Sequence, residues 1–171
     1  MTVSTSHGSM EPWLRGTLRD VPAVPRAVLH ALELAREDLW KWCYSLSNAE
    51  LNERPGGMAS VAFHLRHISQ SLDRLLSYAE GRQLTPEQLE ALESEAHIDA
   101  SHEKVFAELD TALVRGEECV RALATSDLEA PRAVGKKKAP STLGGLLVHV
   151  AEHTQRHVGQ AITTAKIVAA R

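Results

Sequence analysis

Three histidines, His149, His153 and His157, recur at four-residue intervals in the stretch STLGGLLVHVAEHTQRHVGQAITTA, Ser141 to Ala165. On a helix, i, i+4 neighbours project from nearly the same side, one turn apart. Neutral imidazoles at that spacing can share one divalent cation, as the paired histidines of zinc proteases do. A second stretch, VAFHLRHISQSLDRLL, carries His64 and His67. A third imidazole from that segment would complete three protein ligands and leave a coordination position open, which is how catalytic metal sites are built. Burying several imidazoles without partners is costly, so a shared cation is one way to offset that cost.

The elements that must position these rings follow from periodicity. Leu143, Leu146, Val150, His153, His157 and Ala161 form one amphipathic stripe, so Ser141–Ala165 is expected to be helical. Val61, Leu65, Ile68, Leu72 and Leu76 make the stripe of a helix over Ser60–Glu80, closed by Gly81. His64 lies nearer that stripe than His67, which by periodicity alone makes His64 the inward ring. A first helix is expected over Arg26–Leu46 on Val28, Leu32, Ala35, Leu39 and Trp42, with Pro25 just before its first turn. A further long helix spans Ser101–Ala124, weakened at Gly116. Ser47–Glu50 and Thr85–Gln88 have capping-box spacing, the latter opening a short acidic connecting helix. Ser126–Pro140 is expected to be a loop carrying Arg132 and Lys136, Lys137 and Lys138. His30 is expected at the surface or core margin, His97 and His102 at the surface, and His7 in the N-terminal lead. The architecture expected is all-α: an antiparallel four-helix bundle with a short extra helix, residues 1–20 forming a flexible lead and 21–171 one domain.

At 171 residues the chain is long enough for one cored domain. Net charge is −3 and no apolar run approaches the roughly 20 residues of a membrane span, so neither a nucleic-acid nor a membrane partner is expected. The N-terminal stretch has no basic and apolar signal pattern. Cys43 and Cys119 stand apart with no CxxC and read as free, buried thiols of a cytoplasmic protein.

Two metal chemistries are excluded by the residues. In His153-Thr154-Gln155-Arg156-His157, Thr154 stands where a zinc protease places its general-base glutamate. A di-iron carboxylate bundle needs Glu-x-x-His pairs, and no histidine here follows a glutamate by three residues. What remains is a mononuclear, imidazole-rich site for Zn²⁺, Ni²⁺, Fe²⁺ or Mn²⁺. His149 is a further ligand, an outer partner or a packed margin residue, and Gln160 a ligand contact or hydrogen-bonding neighbour.

The segments HLRHISQSLDRLL followed by Gly81, and HVAEHTQRHVGQA, resemble the two signature helices of the DinB/YfiT-like family. The ending His153, His157, Gly159, Gln160 carries most of the likeness, which extends from about Arg26 to Ala165. The resemblance implies a four-helix bundle with one metal ligand from the second helix and two from the last. His153 and His157 match the paired ligands. His67, fourteen residues before Gly81, matches the helix-two ligand better than His64, with His64 and His149 as alternates. Family members include S-transferases that activate bacillithiol or mycothiol and metal-dependent maleylpyruvate isomerases.

Two functions are therefore expected to compete. One is a metal-dependent transferase or hydrolase activating a thiol or water toward an electrophile, with Lys136–Lys138, Arg74 or Arg156 receiving an anionic cofactor. The other is a non-catalytic metal-binding or stress-response bundle acting as a homodimer. A metal-free helical interaction protein is the third reading.

Overall fold

The apolar stripes become the core. Leu32, Leu39, Leu65, Ile68, Leu109 and Leu147 are fully buried, and burying each such side chain contributes about 1.5–3 kcal/mol. The computed structural model describes residues 10–94 and 101–170. In chain order its helices are α1 (Ala23–Cys43), α2 (Asn48–Asn52), α3 (Val61–Ala79), α4 (Pro86–Ser94) and α5 (His102–Ala122). Two strands follow, β1 (Pro131–Val134) and β2 (Ala139–Thr142), and then α6 (Leu143–Ala169). The protein is mostly helical: α1 and α3 each pack against both α5 and α6.

The helix ends obey their local chemistry. Ser60, Ser101 and Thr142 cap α3, α5 and α6 by accepting from the backbone N–H three residues on. Ser47 and Glu50 close a reciprocal capping box on α2. Gly81 takes φ +81° just past the end of α3, a left-handed conformation that glycine adopts without a Cβ penalty. Helix α1 begins at Ala23 rather than Arg26, with Pro25 inside its first turn, because the first-turn N–H groups have no intrahelical acceptor to lose. Ahead of it, Arg15 donates to Glu37 (2.6 and 2.7 Å) and Glu33 (2.8 Å), pinning residues 10–20 to α1.

Two expectations need correction. The fold is not purely α: across the expected loop 126–140 and the first two residues of the expected last helix, β1 and β2 pair antiparallel with Arg132 opposite Ser141. Four-residue strands containing Pro131 and Pro140 show no usable alternation, and the hairpin persists because its neighbours hold it. Trp42 is 39% exposed, its ring covered by the ammoniums of Lys41 and Lys166, while Cys43 takes the core position. Cys43 is i+4 from the buried Leu39, which keeps it on the stripe. Gly116 marks a close approach between helices: a Cβ there would stand 3.4 Å from Leu32 and 3.6 Å from Leu76. That is ordinary contact, so Gly116→Ala should fold and gain up to about 1 kcal/mol of helix propensity, whereas Gly116→Leu should overpack by about 1–3 kcal/mol. Urea titrations of the two variants check the opposite signs.

Candidate metal centre

The hairpin explains how histidines ninety residues apart in sequence meet. Arg132 Nε donates to the Ala79 carbonyl (2.6 Å) and Gln83 to that of Ala133 (3.1 Å), fastening β1 to the C-terminal end of α3. Leu143 N–H donates to the Ala130 carbonyl and Gly144 N–H to that of Leu128, fastening the start of α6 to the same connection. From that clamp His67 lies twelve residues back along α3 and His153 ten residues forward along α6. At 1.5 Å per residue these are about 18 and 15 Å, and for His64 and His157 about 22 and 21 Å. The rings are therefore level in two pairs. His67 Nε2 lies 3.3 Å from His153 Nε2, and His64 Nδ1 lies 3.2 Å from His157 Nδ1. The crossed order shows that α3 and α6 run in opposite senses. Gln155 donates to the Ala31 carbonyl (2.7 Å), tying the same stretch of α6 to α1; nothing in its sequence context singles it out.

Among the described residues, His67, His153 and His157 form a cluster compatible with a metal ion, with one nitrogen of each lying within 4.8 Å of the others. Nitrogens bound 2.0–2.1 Å from a tetrahedral cation are about 3.4 Å apart, close to the His67–His153 spacing. All three rings are half-buried. His67 stacks on Phe63 one turn earlier, rings 15° apart. His64 is only 6% exposed, inward as periodicity requires, yet it falls outside the set of three. His149 also stands outside; its Nδ1 is 3.6 Å from the Glu152 carboxylate. Gln160 is exposed, one turn beyond His157. Thr154, in the glutamate position of a zinc protease, is 1% exposed.

The donor set suits a cation. Burial first, then the neighbouring His157 and His67, lowers His64 to about 4, and burial with the same neighbours lowers His153 to about 4. Both rings are neutral near pH 7 with a lone pair to offer. The Nδ1 of His153 is buried with no hydrogen-bond partner among the described residues, so ordinary hydrogen bonding does not account for the burial of this ring.

These shifts set an acid limit on the metal-free fold. An unfolded histidine titrates near 6.5, so between that value and about 4 the unfolded chain holds more protons than the folded one. Stability then rises with pH across the window and is lost as pH falls through it. Chelator-treated protein should melt at progressively lower temperature from about pH 6.5 to 4.5; an unchanged midpoint contradicts the assignment.

The remaining histidines serve packing. His30 is buried, its Nε2 3.2 Å from the Thr17 hydroxyl. His102, expected at the surface, is half-buried against Tyr44 and Phe106, with Nε2 2.6 Å from the Tyr44 carbonyl. Phe106 lies one turn on in α5 itself, whereas Tyr44 comes from the C-terminal end of α1 and is the wall that the segment of His102 does not encode. His7 and His97 lie outside the described residues. Neither thiol is an activated nucleophile. Burial, with a smaller contribution from Asp38, raises Cys43 to about 12, and burial, then Glu80, raises Cys119 to about 11. Alkylation by iodoacetamide near neutral pH should leave Cys43 intact and modify the half-buried Cys119 slowly, as peptide mass spectrometry would show. Rapid labelling of Cys43 in the folded protein contradicts this.

The expected anion contacts are dispersed. Lys136–Lys138 are exposed in the hairpin turn, and Arg156 pairs with Glu152 at 2.8 Å. Arg74 is buried on a separate cleft of about 920 Å³ between α3, α4 and α5, lined by none of the clustered imidazoles.

Opposed imidazoles on two helices define a helical protein with a three-histidine cluster fit for a divalent cation. The chain belongs to the DinB superfamily, whose family model matches residues 31–161, from within α1 past His157. Proteins of that superfamily often bind metal. No curated protein matches the chain. Among the described residues no helix is long and apolar enough to cross a membrane.

Proposed function

We propose that this chain, a DinB-type four-helix bundle, holds one divalent cation through His67, His153 and His157 and activates a low-molecular-weight thiol or water beside it, as an S-transferase or hydrolase. The observation that carries the reading is the convergence of three imidazole nitrogens from two helices within 4.8 Å. When bound, a divalent cation supplies Lewis acidity that lowers the pKa of a thiol or water at its remaining position. The protein's own part is to hold the donors. The hairpin clamp sets the level of α3 against α6, Phe63 fixes the plane of His67, and the half-exposure of the rings leaves a path for an incoming thiol. Thr154 brings no carboxylate, so proton removal by a glutamate at that position is absent from the scheme.

Metal analysis of purified protein, followed by assays pairing bacillithiol, mycothiol or glutathione with monochlorobimane, tests the reading. Turnover by loaded but not chelator-treated protein supports it. Stoichiometric metal with neither thiol binding nor turnover leaves the non-catalytic metal protein as the better description. If the metal is purely structural, stripping it should collapse the fold, whereas an open site leaves the fold nearly intact.

A further inference from the structure

His64 stands outside the three-imidazole set yet touches it, its Nδ1 lying 3.2 Å from Nδ1 of His157. We infer that His64 is a positioning residue for the cation site: it accepts a hydrogen bond from His157 Nδ1–H and thereby presents His157 Nε2 to the cation. The inference rests on the three-histidine reading proposed above.

A neutral imidazole has one N–H and one lone pair. Two nitrogens 3.2 Å apart, near the limit of ordinary hydrogen-bond length, must be matched donor to acceptor. A His157 Nδ1 that shares a proton with His64 cannot offer the same lone pair to a cation, which leaves Nε2 for that task. Ligating histidines commonly donate their second N–H to a partner that fixes tautomer and ring orientation and raises ligand basicity. His64 suits the acceptor role. It is 6% exposed, one helical turn before His67, with its ring set at 73° against Phe63. The His67–His153 contact is nearly the same length, 3.3 Å, but both of its rings belong to the set of three. The two histidine pairs thus differ in role: one supplies two donors, the other a donor and its support. A fourth-ligand role would require a His64 nitrogen to join that set, and none does.

The test uses the full-length chain. Long-range ¹H–¹⁵N spectra of histidine-labelled, Zn²⁺-loaded protein should show His157 protonated at Nδ1 and His64 at Nε2. His64→Leu removes the acceptor at similar volume, whereas His64→Asn places an amide oxygen near the lost Nδ1. Zn²⁺ affinity, measured against a chromophoric chelator, should fall roughly 10–100-fold in His64→Leu and stay within about threefold of wild type in His64→Asn. The visible bands of the Co²⁺-substituted protein should keep their positions in both variants, because the ligand set is unchanged. Undiminished affinity in His64→Leu, Co²⁺ bands that shift as for a lost nitrogen ligand, or an Nε2-protonated His157 each overturns the inference. Should His64→Leu fail to fold, the wild-type tautomers still decide. A wild type that binds no Zn²⁺ overturns the three-histidine reading and this inference together, whereas normal wild-type binding with an indifferent His64→Leu overturns this one alone.

Discussion

Replacing His153 by alanine should abolish stoichiometric metal while leaving a folded, helical protein. His153 contributes the Nε2 that faces His67 Nε2 at 3.3 Å, and its ring forms one corner of a triangle with those of His67 and His157, 5.0 and 4.7 Å from their centroids. Removing it deletes a donor outright, so the loss should exceed the roughly 10–100-fold cost of losing an outer partner. The fold should tolerate the change because the ring is only half-buried and its Nδ1 has no hydrogen bond to lose among the described residues. Truncation also relieves the metal-free protein of a buried, unsatisfied polar atom. Metal content and circular dichroism on one preparation check both halves. A His153→Ala protein that retains a full equivalent of metal would refute the site.

Leu32→Ala should do the converse, costing about 2–5 kcal/mol of stability while sparing metal binding. Leu32 is completely buried on α1 and reaches Gly116 of α5, where Leu72 and Leu76 of α3 also converge. Three helices meet there, so neighbouring backbone cannot easily collapse into the void, and the cost should lie in the upper part of that range. For a chain of this size it corresponds to a drop in melting temperature of about 8–20 °C. The altered helix packing lies apart from the α3–α6 seam that carries the imidazoles, and metal affinity measured well below the new midpoint should match wild type. A large fall in affinity would mean that the site depends on core packing as a whole.

The two variants separate what holds the fold from what the fold holds, and the same separation appears in what can be read from residues. The leucine stripes, the serine and threonine caps and the glycine after α3 are local signals: each depends on neighbours within about one or two turns. They suffice to place α1, α3, α5 and α6 to within a few residues. The β1–β2 hairpin escaped such reading because it depends on partners outside its own segment, the Ala79 carbonyl and Gln83. His102 escaped for the same reason: Phe106 is one turn away in its own helix, but Tyr44, whose carbonyl faces its Nε2, comes from the end of α1.

By its residues alone the chain determined that imidazoles would be stacked along two helical faces, and that neither glutamate nor cysteine chemistry would accompany them at zinc-protease or di-iron spacing. Periodicity put His64 inward, and His64 is indeed the more buried ring. Only the tertiary structure decided which rings would be level with which. That depends on how far α3 slides against α6, and a slide of one turn, about 5.4 Å, would exchange the partners of every histidine. The hairpin clamp fixes this offset through side-chain bonds from Arg132 and Gln83 at the α3 end and backbone bonds at the α6 end, an arrangement that periodicity within either helix does not encode.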